Sequence, residues 1–277
     1  MKYEKEIRNY QQLLAFCTAK NGSNMSATSE RTSQRSWFGT KNFTDALSKA
    51  KNGDVSEIGK MKKSLDSLKV EGKGVTFSPV FQVCGESVEV GRFLSGEPEC
   101  MQEWEMTEAK GNKVVDFYFH IGGVADVTAE EKRNYGSATL AILDFLESSN
   151  VRVNLYLYTS NTFSGGGSTI YTEVIKMKSA EDALNIPILS FAMTNASMFR
   201  RLMFKVFESK HGGVGCTCDV PKEALDAERP EECVVFPNIK SIVENFKTEE
   251  TTLAWIKNKI PSVLNQMQLD TEKVHIY

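Results

Sequence analysis

The sequence contains no long apolar run and no segment with the character of a secretion signal. No stretch of about 18 consecutive apolar residues occurs, so we expect no membrane-spanning helix. The first eight residues are mostly charged and lack the apolar core of a signal peptide. These absences favour a cytoplasmic protein.

Positive charge is not in excess either, because 33 Lys and Arg residues face 36 Asp and Glu residues, and the net charge is −3. A positive field over the whole molecule is therefore excluded, although local basic clusters remain able to bind phosphate groups. Six cysteines in a chain of 277 residues, without a secretion signal, are expected to be reduced thiols. The hydrophobic fraction of 41% is typical of a globular protein with a sizeable core.

The glycine-rich segments do not match phosphate-binding motifs. Gly122 and Gly123 follow a predicted strand but lack the third glycine of the dinucleotide-binding fingerprint. Residues 165–167 are three glycines without the Gly-Lys-Ser/Thr ending of a P-loop. We therefore expect no bound nucleotide, and no cofactor is predicted.

Residues 113–163 predict a strand–helix–strand unit. Residues 114–121 and 151–158 are apolar runs rich in β-branched and aromatic side chains, with room for a helix between them. This arrangement implies two parallel strands joined by a right-handed crossover. Residues 169–178 predict a strand antiparallel to the second, because no helix fits in that connection. The predicted fold class is α/β, with a mostly parallel, helix-covered sheet and helical appendages at both termini.

Four regions are predicted along the chain. Residues 1–17 form an N-terminal helix, and 18–36 form a flexible linker rich in Asn, Ser and Thr. Residues 37–109 are a mixed helix and strand region that packs on the core, and 110–277 are the α/β core with a C-terminal loop and helices. Within these regions one helix is predicted to have Asn42 or Thr40 as its N-cap and Gly53 as its C-cap. Further helices are predicted at 55–68, 195–209, 240–247 and 250–267.

Three segments carry a resemblance to a known group of proteins. They read WFGTxxFxxA at 37–46, VGRFLSGEPECM at 90–101 and SMFRRLMF at 197–204. Together they resemble uncharacterised tailed-phage proteins whose core is similar to a von Willebrand factor A-like domain. The resemblance implies a doubly wound, von Willebrand A-like or Rossmann-like sheet and a viral origin, but the group has no established activity.

One motif of metal-binding A-type domains is missing. Such a domain ends its first strand in Asp-x-Ser-x-Ser, whose carboxylate and hydroxyls bind a divalent cation. The corresponding residues here, 120–126, lack the hydroxyls, and Asp126 lies too far along the chain to replace the motif. We therefore expect no metal at this strand end. Thr128, followed by Glu130 and Glu131, is better interpreted as a helix N-cap with an acidic first turn.

Two small sets of residues are candidates for chemistry. His120 ends a predicted parallel strand, where open α/β sheets bind ligands, but no nucleophilic partner is identifiable. A histidine that bonds to a neighbouring loop is the favoured alternative. His211, Cys216, Cys218 and Cys233 are suitable zinc ligands, but their spacing is tighter than that of the usual zinc knuckle. A glycine-rich loop with small apolar thiols is favoured over zinc.

Basic clusters and aromatic residues together suggest an interface for single-stranded nucleic acid. Basic clusters lie at 60–63, at 69–73 and along the helix at 195–209. Aromatic side chains on neighbouring strands would stack the bases while the basic groups neutralise phosphates. Solvated helix faces and core aromatics are the favoured alternative. The aromatic residues concerned are Tyr156, Tyr158, Phe163 and Tyr171.

Three functions follow from these patterns. The first is a non-enzymatic phage interaction or adaptor protein that acts with transcription or replication machinery in the host cytoplasm, with docking loops at 120–126 and 159–167. The second is a single-stranded nucleic-acid-binding protein that recruits a phage polymerase. The third is an enzyme that uses His120 or the Cys/His set. The predicted contact residues are His120, Asp126, Tyr156, Tyr158, Phe163, Arg200, Arg201 and Lys205.

Overall fold

A computed structural model describes residues 2–19, 35–56, 59, 77–106, 113–123, 126–148, 151–163, 169–225 and 233–266. Its centre is a sheet in which β1 (Lys2–Asn9), β7 (Thr169–Lys178), β6 (Val151–Thr162), β5 (Lys113–His120) and β9 (Val234–Phe236) are neighbours in that order. Three of these four pairings are parallel, and only β6 with β7 is antiparallel. The α/β class with a mainly parallel central sheet is confirmed.

The predicted strand–helix–strand unit is confirmed. Helix α5 (Ala129–Ser148) connects β5 to β6, and the two strands run parallel, with Lys113 opposite Val151 and His120 opposite Tyr158. The antiparallel pairing of β6 with β7 is also confirmed. Thr128 caps α5 as expected: its Oγ1 accepts the Glu131 N–H at 3.1 Å, and the Glu131 carboxylate accepts the Thr128 N–H at 2.8 Å.

The predicted N-terminal helix is partly wrong. Residues Lys2–Asn9 form strand β1, which pairs parallel with β7, and only Tyr10–Thr18 form helix α1. A run that alternates charged and less polar residues suits a strand at the edge of a sheet, because one edge and part of one face meet water. Most of the predicted linker at 18–36, and most of the helix predicted at 55–68, lie outside the described residues.

Seven helices of the described chain share one large core with the central sheet. They are α1, α2 (Arg35–Phe38), α3 (Phe43–Asn52), α5, α6 (Ile186–Thr194), α7 (Phe204–His211), which continues a π-helical stretch Met198–Met203, and α8 (Glu249–Gln266). Alternate strand residues such as Val115, Phe117 and Leu155 face this core. Of the two predicted N-cap residues of α3 the structure has Asn42, and Gly53 is the C-cap as predicted. The other face of the sheet carries a smaller cluster that includes Tyr118, Tyr158 and Val174.

A short strand covers the carboxyl end of β5. Strand β8 (Cys216–Cys218) pairs antiparallel with the last residues of β6, from Ser160 opposite Cys218 to Thr162 opposite Cys216. Strand β6 extends further than β5, which ends at His120. Beyond that residue β8 takes the position of β5 as the neighbour of β6. The predicted docking edge at 120–126 is therefore partly occupied by the chain itself.

A second, three-stranded sheet lies between β1 and β5 in sequence. Its order is β2 (Phe77–Gln82), β4 (Met101–Met106) and β3 (Ser87–Val88), and both pairings are antiparallel. The five-residue helix α4 (Val90–Leu94) lies between β3 and β4. None of residues 80–103, whose side chains the structure describes, is buried.

Candidate functional site

His120 is sealed inside the end of β5. Its Nδ1 accepts the Gly122 N–H at 3.1 Å, and its Nε2 lies 3.3 Å from the Cys218 carbonyl oxygen in β8. The ring also contacts the edge of Tyr158, with centroids 4.7 Å apart. Burial, with a smaller effect from Lys132, lowers the pKa of His120 to about 3. The ring is therefore neutral and donates from Nε2, and both of its nitrogens are occupied, as the alternative interpretation of this histidine required.

Lys132 occupies the interior of the same strand end. The side chain is only 1% exposed, and its ammonium donates to the carbonyl oxygens of Ile121 and Gly122. Burial, with a smaller effect from the Arg200 charge, lowers the pKa of Lys132 to about 7. A cation from α5 thus binds the carbonyl groups of the loop that follows β5, where the carbonyls would otherwise lack partners. Asp126, in the same loop, is exposed.

The prediction that Arg200, Arg201 and Lys205 form a surface cluster is wrong. All three side chains are at most 5% exposed, because the helix that carries them is covered on several sides. Arg200 donates to the carbonyl oxygens of Trp37 and Val127 at 2.7 Å each, and it also lies over the Trp37 ring. These groups are already used inside the protein and do not face a ligand.

Arg201 and Lys205 bind the two parts of the chain on either side of residues 20–34. Arg201 donates to the Thr40 hydroxyl at 3.1 Å and to the Thr40 carbonyl at 3.2 Å. Lys205 donates to the carbonyl oxygens of Cys17 at 2.7 Å and Ala19 at 3.0 Å. The three cations therefore hold the N-terminal elements against the core, since a charged donor forms a strong hydrogen bond to a carbonyl group when buried.

The predicted aromatic interface is divided between the two faces of the sheet. Tyr156 stacks on Tyr118, with ring centroids 4.6 Å apart, and Tyr158 is buried on the same face. Phe163 and Tyr171 lie on the opposite face, where both contact the His211 ring at 4.6 and 4.4 Å. A single strand of nucleic acid could not stack on both groups at once.

The residues suggested for zinc are also separated. His211 lies among aromatic rings at the end of α7, whereas Cys216 and Cys218 belong to β8. Cys233 is buried in the small cluster on the other face of the sheet. Within the described part of the chain, no group of three His, Cys, Asp or Glu residues is arranged to hold a metal ion.

The small sheet presents a surface that the sequence analysis did not identify. Phe93 is 61% exposed and Leu94 is 78% exposed, although both are large apolar side chains. Five exposed apolar residues occur within twelve positions, and we call them and the surrounding glutamates the acidic apolar surface. Its apolar members are Val83, Val88, Val90, Phe93 and Leu94. So many exposed apolar residues in one short segment differ from the scattered single residues of an ordinary protein surface, and such groups mark interaction sites.

Charge around these apolar residues has one dominant sign. Residues 77–106 contain six glutamates and a single basic residue, Arg92. Arg92 pairs with Glu97 at 3.1 Å and lies over the Phe81 ring at 4.0 Å, so its charge is compensated within the unit. Glu86, Glu99 and Glu103 are exposed. The available signal was the combination of apolar and acidic residues at 83–103, which the sequence analysis placed in the mixed helix and strand region at 37–109.

Comparisons with known proteins identify a family but no characterised relative. The family model described as a domain of unknown function, DUF7192, matches residues 1–270. The searches of curated proteins and of solved structures gave no significant match. Among the helices of the described residues, none combines the length and the apolar character needed to cross a membrane.

Proposed function

Because the chain belongs to the DUF7192 family of domains of unknown function, we propose its function from its own residues: it is a non-enzymatic interaction protein that binds a partner protein through the acidic apolar surface. The observation that carries the proposal is the exposure of Val90, Phe93 and Leu94 in helix α4, within a unit that has no buried side chain among residues 80–103.

The small sheet needs a covering layer. A β-sheet becomes stable when one face is packed against another element, and an isolated set of short strands is marginal in water. Neither core cluster contains a residue from 80–103, the part of this unit whose side chains the structure describes. The burial that would stabilise this unit is therefore available to a binding partner.

Charge specifies the kind of partner. Glu86, Glu99 and Glu103 are exposed in the same segment as the apolar residues, and no uncompensated basic side chain lies among residues 77–106. Complementary potentials favour encounter and orientation, while like charges disfavour wrong partners. We infer that the occupant is a protein segment that presents large apolar residues flanked by lysine or arginine.

The origin and setting of this interaction are part of the proposal. We propose that the protein is phage-encoded, that it acts in the host cytoplasm and that its partner belongs to transcription or replication machinery. This part of the proposal rests on the three resembling segments. The core is proposed to be a von Willebrand A-like domain in which the Lys132 ammonium, rather than a metal, lies at the end of the first strand. The alternative of single-stranded nucleic-acid binding depends on the basic clusters at 60–63 and 69–73, which lie outside the described residues.

A peptide panel tests the proposed surface directly. The panel has three synthetic helical peptides of about 16 residues, roughly four turns. The first combines leucine with lysine, the second combines leucine with glutamate, and the third combines glutamine with lysine. Fluorescence anisotropy with the full chain should detect binding of the leucine–lysine peptide only. Phe93→Asp should weaken that binding at least tenfold, about 1.4 kcal/mol, because it places a charge within the apolar contact.

The control variant is Val55→Asp, which changes another exposed apolar residue, 69% exposed, outside the small sheet. It should bind the peptide like the wild type. Equal binding of all three peptides, or unchanged binding by Phe93→Asp, would show that the surface is not the docking site. Sedimentation that reveals a dimer dissociated by Phe93→Asp would make a second copy the occupant and would overturn the assignment to a different protein.

Capture from infected cells then separates the two kinds of partner. The wild type should retain a protein in the presence of nuclease, and Phe93→Asp should lose that same protein while Val55→Asp keeps it. Loss of all captured protein on nuclease treatment would favour the nucleic-acid alternative and contradict the proposal.

A further inference from the structure

Two cysteines of strand β8 lie on the same face of the central sheet. Cys216 is opposite Thr162 and Cys218 is opposite Ser160 in the antiparallel pairing with β6. Directly opposite residues of an antiparallel pair point to the same face, and Ser160 shares its face with Tyr158, two residues earlier. Both cysteine side chains therefore lie on the face that carries the smaller cluster. Both are reduced thiols; Cys216 is exposed and Cys218 is partly exposed.

Hydrogen bonds hold β8 in this orientation. Between the two cysteines, the Thr217 hydroxyl accepts the side-chain N–H of Asn238 at 3.2 Å, on the opposite face. The Asp219 carboxylate accepts the main-chain N–H of Asn238 at 2.7 Å. The Cys218 carbonyl oxygen lies 3.3 Å from Nε2 of His120. The strand is therefore fixed through its other groups, while the two thiols remain accessible to solvent.

The spacing of the two thiols suits a bridging ion better than a direct disulfide. Residues two apart in a strand are separated by about 6.7 Å, whereas a disulfide needs Cβ atoms within roughly 4.5 Å of each other. Two metal–sulfur bonds of about 2.3 Å each supply the missing length, because they place the sulfurs up to about 4.6 Å apart. One ion can therefore be held between Cys216 and Cys218 without bending β8.

The number of ligands specifies the ion. Within the described residues no group of three His, Cys, Asp or Glu is placed to hold a metal, so a four-ligand zinc site is not completed here. His211 is near in sequence, yet its ring contacts Phe163 and Tyr171 on the opposite face. Thiolates select soft ions, and among these monovalent copper is stable with only two thiolates in a line.

We propose that Cys216 and Cys218 form a two-coordinate site for monovalent copper. Each thiol releases its proton to solvent as its sulfur binds the ion, and no electron is transferred. Burial, followed by the charges of Asp219 and Cys216, raises the pKa of Cys218, so copper binding should strengthen as the pH rises. The site is separate from the acidic apolar surface and goes beyond the proposed function, on which it does not depend.

Anaerobic titration of the full chain with monovalent copper, in competition with bathocuproine disulfonate, tests the site. The wild type should retain one equivalent of copper, and X-ray absorption should show two sulfur neighbours. Cys216→Ser and Cys218→Ser should each weaken retention at least about a hundredfold, because the second thiolate is lost from the immediate neighbourhood of the first. Cys84→Ser, which removes an exposed thiol of the small sheet, should retain copper like the wild type.

A variant with Thr217→Cys and Cys218→Ser separates geometry from thiol content. It keeps six cysteines, but the two in β8 then point to opposite faces, so copper retention should stay as weak as in Cys218→Ser. The melting temperatures of the copper-free variants check that each one folds. Wild-type retention by this variant or by either single β8 variant would overturn the proposal. No retention by the wild type, coordination by more than two sulfurs, or equally tight retention of zinc would also overturn it.

Discussion

Buried cations that bind main-chain carbonyl groups are the main feature of this protein at the scale of single residues. Lys132 donates to the loop after β5, and Lys178 donates to the carbonyls of Val153 and Ser179. Arg200 and Lys205 donate to the carbonyl groups of Trp37 and Cys17, respectively. Carbonyl groups at the ends of strands and helices lack partners of their own. A long basic side chain can satisfy them from a distant element, so a basic residue in this chain is a poor guide to its surface.

His120 should make the protein sensitive to acid. The pKa of the buried ring, about 3, lies below its ordinary value of 6.5, so the unfolded chain binds a proton that the folded chain excludes. Between these pH values the free energy of unfolding should fall by about 1.4 kcal/mol for each unit of pH lost. Urea denaturation should therefore show that His120→Gln loses roughly 2 kcal/mol less stability than the wild type from pH 6.5 to 5.

His211→Gln is the matched control for this experiment. The pKa of His211 is also lowered, mainly by burial, but its ring is only partly covered. The control should keep most of the acid sensitivity of the wild type. If His120→Gln shows the same pH dependence as the wild type, the ring is not held neutral by the fold.

At the scale of elements, close contact between α5 and α6 depends on one glycine. A Cβ atom at Gly136 would meet the main chain of Met193 and would lie 2.8 Å from the Cα of Thr194. Gly136→Ala should therefore destabilise the fold by about 3 kcal/mol, because the clash with a neighbouring backbone outweighs the gain of about 1 kcal/mol in helix propensity. Thermal or urea unfolding measures this difference.

Gly213→Ala is the corresponding control, because a Cβ atom there meets nothing within 4 Å. Its stability should stay within about 0.5 kcal/mol of the wild type. A Gly136→Ala variant as stable as the wild type would mean that α5 and α6 do not approach as closely as described.

Strand β1 is joined to the core by a charged network. Glu173 of β7 accepts hydrogen bonds from Arg8 of β1 at 3.0 Å and from Lys210 of α7 at 2.7 Å. Glu173 and Arg8 are both buried, at 4% and 7% exposure. Glu173→Leu should cost about 3 kcal/mol, because it leaves the Arg8 charge without its buried partner.

The double variant Arg8→Met with Glu173→Leu should be more stable than Glu173→Leu alone, since both charges are then removed together. Glu244→Gln, which changes an exposed pair with Lys247, should have no measurable effect. A double variant that is no more stable than Glu173→Leu alone would show that the buried Arg8 charge does not depend on Glu173.

At the scale of the whole molecule, the described chain contains two parts with unequal burial. The central sheet and its helices contain fully buried side chains such as Phe117, Leu143 and Phe207. Residues 80–103 of the small sheet contain none. Hydrogen exchange should therefore be faster by orders of magnitude in β2–β4 than in β5 and β6, because the local free energy of opening follows buried apolar contact.

Peptide binding should reduce the difference in hydrogen-exchange rate between the two sheets. Addition of the leucine–lysine peptide should slow exchange at 83–103 in the wild type but not in Phe93→Asp. Equal protection of both sheets in the free protein would contradict the prediction and would show that the chain covers the small sheet by itself.

The sequence analysis predicted features that depend on short-range interactions better than features that depend on residues far apart in sequence. The Thr128 cap, the Asn42 cap and the helix at 249–266 depend on residues a few positions apart, and all were predicted closely. The parallel pair β5 and β6 followed from the length of the connecting helix. The strand at Lys2–Asn9 was mistaken for helix, because its partner strand lies more than 160 residues away, as shown by Arg8 and Glu173, which are 165 positions apart.

The sequence by itself determined the order of the main elements, the crossover and the helix caps, since local propensity and short connections decide these features. Only the tertiary structure decided which charged side chains are buried, that β8 closes the end of β5, and that apolar residues of the small sheet stay exposed. The physical reason is that burial depends on what distant segments place beside a residue. Arg200 and Phe93 show this most clearly, because the basic residue is enclosed and the aromatic residue is not.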